Sequence, residues 1–177
     1  MRAAASLAAI ADRIDRSTAA LGRAAGWCAL FVVLVQLAVV LMRYAFGIGS
    51  IRLQESILYA HAALFMLAAA WTLQRGGHVR VDVLYADASP RAKARIDLLG
   101  AILLGLPFAA ALVWLSRPYV GRSWAILERS REASGLPLVF LLKSLIPLFG
   151  GLLGLQAIAQ AIRAGLILAA RRPPEPR

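Results

Sequence analysis

Residues 24–46 read AAGWCALFVVLVQLAVVLMRYAF, with Gln36 the one polar interruption before Arg43. A helix of about 20 mainly apolar residues crosses the ~30 Å hydrocarbon layer of a bilayer. This stretch meets that length, and it decides the class of fold.

Three more segments follow it. Residues 55–74 are apolar after Glu55. Residues 97–117 form a third span whose helix is expected to start earlier, because Ser89 followed by Pro90 is a good N-cap and first-turn pair. Residues 136–170 are too long for one upright crossing, since 35 residues would reach roughly 50 Å. A tilted helix with an interfacial extension, bent near Pro147, is expected there. The sequence therefore predicts an all-α integral membrane protein, a four-helix transmembrane bundle spanning residues 24–170.

Bulk composition agrees. Of 177 residues, 60% are hydrophobic and only 16% charged, with a mean hydropathy of +0.71. The net charge of +11 would suit nucleic acid, but the basic residues flank apolar runs, where lipid headgroups are their natural partners. Cys28 is alone, so no intramolecular disulfide can form. The first apolar run follows a segment containing Asp12 and Asp15 and is longer than a signal-peptide core, so it is read as retained.

Orientation follows from Lys and Arg. Most of them precede the first span, lie between the second and third, or follow the fourth. The opposite side holds Arg43, Arg52, Arg117, Arg122, Arg129 and Arg131. This bias predicts both termini in the cytoplasm. Trp27, Trp71, Trp114 and Trp124 all fall near expected span ends or in a flanking loop, as an interfacial belt requires.

Residues 1–23 read as a separate element. Leu7, Ile10, Ile14 and Leu21 recur at roughly helical spacing, with Asp12, Arg13, Asp15 and Arg16 between them, which predicts an amphipathic helix on the cytoplasmic face. Residues 171–177, with three prolines, are expected to be a disordered cytoplasmic tail.

Chemistry within the spans is sparse. A haem-binding bundle needs paired axial ligands, and only His61 falls inside a span. A thiol oxidoreductase needs a second cysteine, and a metal hydrolase a cluster of His, Asp and Glu. The expectation is no catalytic, substrate-binding or metal residue and no cofactor. Lys143 lies close to the start of the fourth segment and is read as a snorkelling or inter-subunit ion-pairing group. Gln36 and His61 lie at comparable depth and predict a hydrogen bond between the first two spans. Ala101, Gly105 and Ala109 recur every four positions, and Gly150 with Gly154 form a GxxxG pair, both suited to close helix packing.

One stretch is more specific. From Gln54 to Tyr85 the chain carries Gln-Glu-Ser, a span, and then Arg75-Gly-Gly-His78-Val-Arg-Val-Asp82-Val-Leu-Tyr. Downstream come Ser123-Trp124, Glu128, Ser130, Glu132, Ser134-Gly-Leu-Pro137, Lys143, Ile146-Pro147 and Gln156. This pattern resembles the small membrane subunit, DctQ type, of tripartite ATP-independent periplasmic (TRAP) transporters, and one branch of it associated with organic acids.

The resemblance marks Glu55, Gly77, His78, Asp82, Pro137 and Lys143 as motif positions with structural or partner-contacting roles. Many relatives carry two adjacent carboxylates where this chain has Glu55 and Ser56. From the residues alone, Gly76-Gly77 caps a helix and His78, Arg80 and Asp82 follow as a solvated turn.

The resemblance implies an accessory scaffold of the bacterial inner membrane. It would pair as a heterodimer with a large membrane subunit that takes up an organic acid with sodium ions. A periplasmic solute-binding protein would dock on the loop 117–135, at Glu128, Arg129, Arg131 and Glu132. The rival readings are a membrane anchor for a redox enzyme and a self-contained small transporter.

Overall fold

The computed structural model describes residues 2–78 and 85–170, and the described residues are helical without strands. Helix α1 spans Arg2–Phe46, α2 Ile51–Gln74, α3 Pro90–Gly100, α4 Leu106–Ala125 and α5 Val139–Ala169. A π-helical turn, Ala101–Gly105, joins α3 to α4, so the third span is one helix from Pro90 to Ala125. Pro107 accounts for that turn. Its ring would strike a carbonyl one α-helical turn earlier, and a wider turn makes room for it.

The caps expected from sequence are present. Ser89 Oγ accepts from the Ala92 amide at 3.2 Å, with Pro90 opening the helix. Gly76 adopts φ +66° and the Gly77 amide bonds Thr72 O at 2.9 Å, a Schellman-type stop for α2. Gly47, at φ +67°, ends α1 in the same way, with Ile48 N on Met42 O at 3.0 Å. Ser50 then caps α2.

No helix break falls at residue 23. Helix α1 runs unbroken for 45 residues, about 67 Å and roughly twice a bilayer core. Its inward seam explains this: Ala11, Thr18, Ala25 and Val39 are buried on a seven-residue register, with Val32 half-buried between them. One face of the helix therefore stays against α2 and α5 along its length. Of the four apolar residues expected to define a separate surface helix, Leu7 and Ile10 are exposed and Ile14 and Leu21 half-buried, and the buried seam is made of smaller side chains.

Helix α5 is the hub, touching every other helix. The small-residue repeats make the contact between α4 and α5. A Cβ added at Gly154 would sit 3.3 Å from Ala109 Cβ, and one added at Gly150 would sit 3.1 Å from Ala109 O. Gly105 meets Ala157 at a similar distance, 3.3 Å. Among the described residues α4 touches neither α1 nor α2. A cleft of about 1160 Å³ opens between the end of α2, α3 and α5, lined by Leu73, Phe108, Phe149 and Leu153 among others.

Helix α5 starts at Val139, three residues later than its apolar run, because Leu136 and Pro137 belong to the preceding loop. It passes through Pro147 without interruption to Ala169. Proline's missing amide still leaves the Lys143 carbonyl without its helical donor. The tail, residues 171–177, lies outside the described residues.

Candidate functional site

The loop between α4 and α5, residues 126–138, is held by groups from three helices. It begins with strain: Leu127 takes a left-handed φ of +45° where a glycine would be comfortable, a conformation that costs an L-residue about 1–2 kcal/mol. The Glu128 amide then bonds Ser123 O at 2.9 Å, closing the end of α4.

Glu55, in the second turn of α2, clamps the other half of the loop. One carboxylate oxygen accepts from the Ser130 hydroxyl, and the other accepts from the Leu136 amide at 2.5 Å. Arg52, on the preceding turn, donates to Ser134 O at 3.2 Å. The loop closes on itself through Ser130 N to Leu136 O at 3.2 Å and Gly135 N to Glu132 O at 2.9 Å. Only glycine fits at position 135, since a Cβ there would sit 2.8 Å from Glu55 Oε1 and closer still to Ser130. Ser56, the departure from the paired-acid motif, donates to Leu53 O in its own helix and takes no part in the clamp.

Lys143 secures the first half of the loop. Its ammonium meets Glu128 at 2.5 Å and lies 4.1 Å from the centre of the Tyr119 ring. Its side chain is only 16% exposed. Lys143 thus forms an ion pair within the chain, because the loop brings its own carboxylate over the end of α5. The hydrogen bond from Lys143 holds the Glu128 carboxyl below its usual range. Beside it, Trp124 donates to Ser144 at 2.8 Å and packs edge-on against Phe140.

What the clamp leaves outward is mixed, with Ile126, Leu127 and Leu138 exposed beside charged groups. Arg129, Arg131, Glu132 and Pro137 are exposed. Glu128, also expected among the docking charges, pairs with Lys143. Gly77 and His78 lie at the far end of α2 from Glu55, about 33 Å along the helix, so the two halves of the motif form separate sites. Asp82 and Arg80 lie outside the described residues.

A second polar cluster, at the opposite end of the bundle, escaped the sequence reading. Gln156, 2% exposed, accepts from Thr18 at 3.0 Å and donates to Asp15 at 2.9 Å. Arg163 bonds both Asp15 and Asp12, the latter at 3.0 Å. The available signal was a glutamine in an apolar run facing a segment with two aspartates, but nothing local pairs residues so far apart in sequence.

Among the described residues no three His, Cys, Asp or Glu side chains converge in a way that could hold a metal ion. The arrangement around Glu55 and Lys143 fixes a loop. The family model for the DctQ component of tripartite ATP-independent periplasmic transporters matches residues 32–165. The chain belongs to this family.

The DctQ match runs from within α1 to within α5 and contains both clamps. Asp12, Asp15 and Thr18 precede it. DctQ proteins are the small membrane component of TRAP transporters, which work with a large membrane subunit and a periplasmic binding protein, and the family is one of transporter components. With four helices long and apolar enough to cross a membrane, this DctQ chain is a multi-pass inner membrane protein. Searches of curated proteins and of solved structures give no match.

Proposed function

We propose that this chain is the rigid scaffold subunit of a sodium-coupled TRAP transporter for an organic acid. It forms a heterodimer with the large membrane subunit and keeps both termini in the cytoplasm. The loop 126–138 then faces the periplasm and receives the solute-binding protein. The observation that carries this reading is the clamped loop: Glu55 and Lys143 hold its backbone from within and leave Arg129, Arg131 and Glu132 outward. A preordered charged loop steers a soluble partner without paying for ordering on each encounter.

Glu128 and Lys143 build the platform, and the docking charges are the three exposed ones. Because rim charges act mainly on encounter rate, reversing them lowers uptake most at limiting binding protein and low salt. The test is Arg129→Glu, Arg131→Glu and Glu132→Lys together, with uptake assayed in cells. The expected result is reduced uptake at unchanged membrane level and unchanged recovery of the large subunit with the tagged chain. Unchanged uptake removes the docking role. A haem band in the purified complex would remove the transporter reading in favour of a redox anchor.

A further inference from the structure

Gln36 and His61 do not bond each other. Both side chains are exposed, neither has a hydrogen-bond partner among the described residues, and each lies deep in its span. Gln36 is ten residues before Phe46, and His61 is ten residues after Ile51. Each is therefore about 15 Å from the α1–α2 turn, near the middle of a ~30 Å hydrocarbon layer.

The outer surfaces of the other two spans differ, because their exposed large side chains are apolar. On the third span, Leu103 and Leu104 of the π-helical turn and Phe108, Trp114 and Leu115 of α4 are exposed. On α5, the exposed large side chains include Leu141, Leu148 and Leu155. Gln156 is turned inward. These faces suit acyl chains, whereas an amide and an imidazole at mid-membrane do not. Around the two polar groups the hairpin exposes Leu37, Leu58 and Phe65, enough apolar surface to pack a helix.

We infer that the outer face of the α1–α2 hairpin is where the large membrane subunit docks, with Gln36 and His61 bonding polar groups on one of its transmembrane helices. Depth selects the occupant. Lipid headgroups and soluble proteins do not reach the bilayer centre, and an acyl chain offers no donor or acceptor. A second copy of this chain is the competing membrane partner, and the test separates the two. The inference rests on the scaffold reading and deepens it by assigning the partner's side of the bundle.

The experiment places a photoreactive amino acid at position 36, 61, 104 or 114 of the full chain, co-expressed with its large subunit and irradiated in native membranes. Adducts with the large subunit from positions 36 and 61, and none from 104 and 114, are the expected result. Adducts only between copies of this chain, or large-subunit adducts only from positions 104 and 114, overturn the inference.

Recovery of the large subunit with the unmodified tagged chain is measured in parallel. If it is recovered while positions 36 and 61 stay silent, the docking face is wrong and the scaffold reading stands. If it is not recovered, both fall. As a second readout, Gln36→Leu with His61→Leu removes two interhelical hydrogen bonds and weakens association by roughly fivefold to tenfold. The isolated chain stays folded, because neither side chain bonds within it.

Discussion

Gly22 and Gly26 sit one turn apart on α1 and make a matched pair for testing its continuity. A Cβ at Gly22 would lie 2.6 Å from Trp71 Cβ and 2.8 Å from the indole, whereas at Gly26 nothing lies within 4 Å. Trp71 Cβ is fixed to its backbone, so α1 and α2 must part locally by roughly 1 Å to restore ordinary contact.

Replacing either glycine by alanine favours the helix by the same amount, about 1 kcal/mol. That gain cancels in the comparison. The remaining difference is overpacking, about 1–3 kcal/mol in favour of Gly26→Ala. Equilibrium unfolding of the detergent-purified chain, followed by tryptophan fluorescence, measures it. Gly26→Ala should match or exceed the native chain, and Gly22→Ala should fall below Gly26→Ala by that margin. Equal stabilities would show that the N-terminal half of α1 does not pack on α2, and the unbroken seam would be refuted.

Gly135→Ala should force Ser130 and Glu55 apart and destabilise the loop by about 1–3 kcal/mol, read as faster hydrogen exchange at Leu136. Glu128 carries a depressed pKa owing to Lys143, relative to an ordinary 4.5, so its contribution is complete above that value and lost as pH falls through the lower folded one. Trp124 fluorescence should accordingly stay flat from about pH 7 to 5 and change only in more acid solution. Gln156→Leu removes two buried hydrogen bonds and should cost about 1–3 kcal/mol, detected by the same unfolding assay. Arg163 still holds Asp15 in that variant, so α1 should remain helical by circular dichroism.

The position of each span was legible in the sequence because hydropathy is a local sum over neighbouring residues, and so were the caps at Ser89 and Gly76-Gly77. Small-residue spacing also carried real information, since Ala109 and Gly154 do meet. The motif named Glu55 and Lys143 without saying what they hold. Their partners, Ser130, Leu136 and Glu128, follow from how α2, α4 and α5 are rotated about their axes, and hydropathy is nearly blind to that rotation when a helix is apolar on most faces.

The same blindness explains the expected bond between Gln36 and His61. Comparable depth was readable, but direction was not, and both side chains point away from the bundle. Sequence alone determined that four helices cross a membrane and to which family they belong. Only the tertiary structure decided that α1 continues past residue 23, that α5 is the hub, and that the loop is pinned from within. Those outcomes depend on side-chain pairs far apart in the chain, brought together by helix register and not by any local pattern.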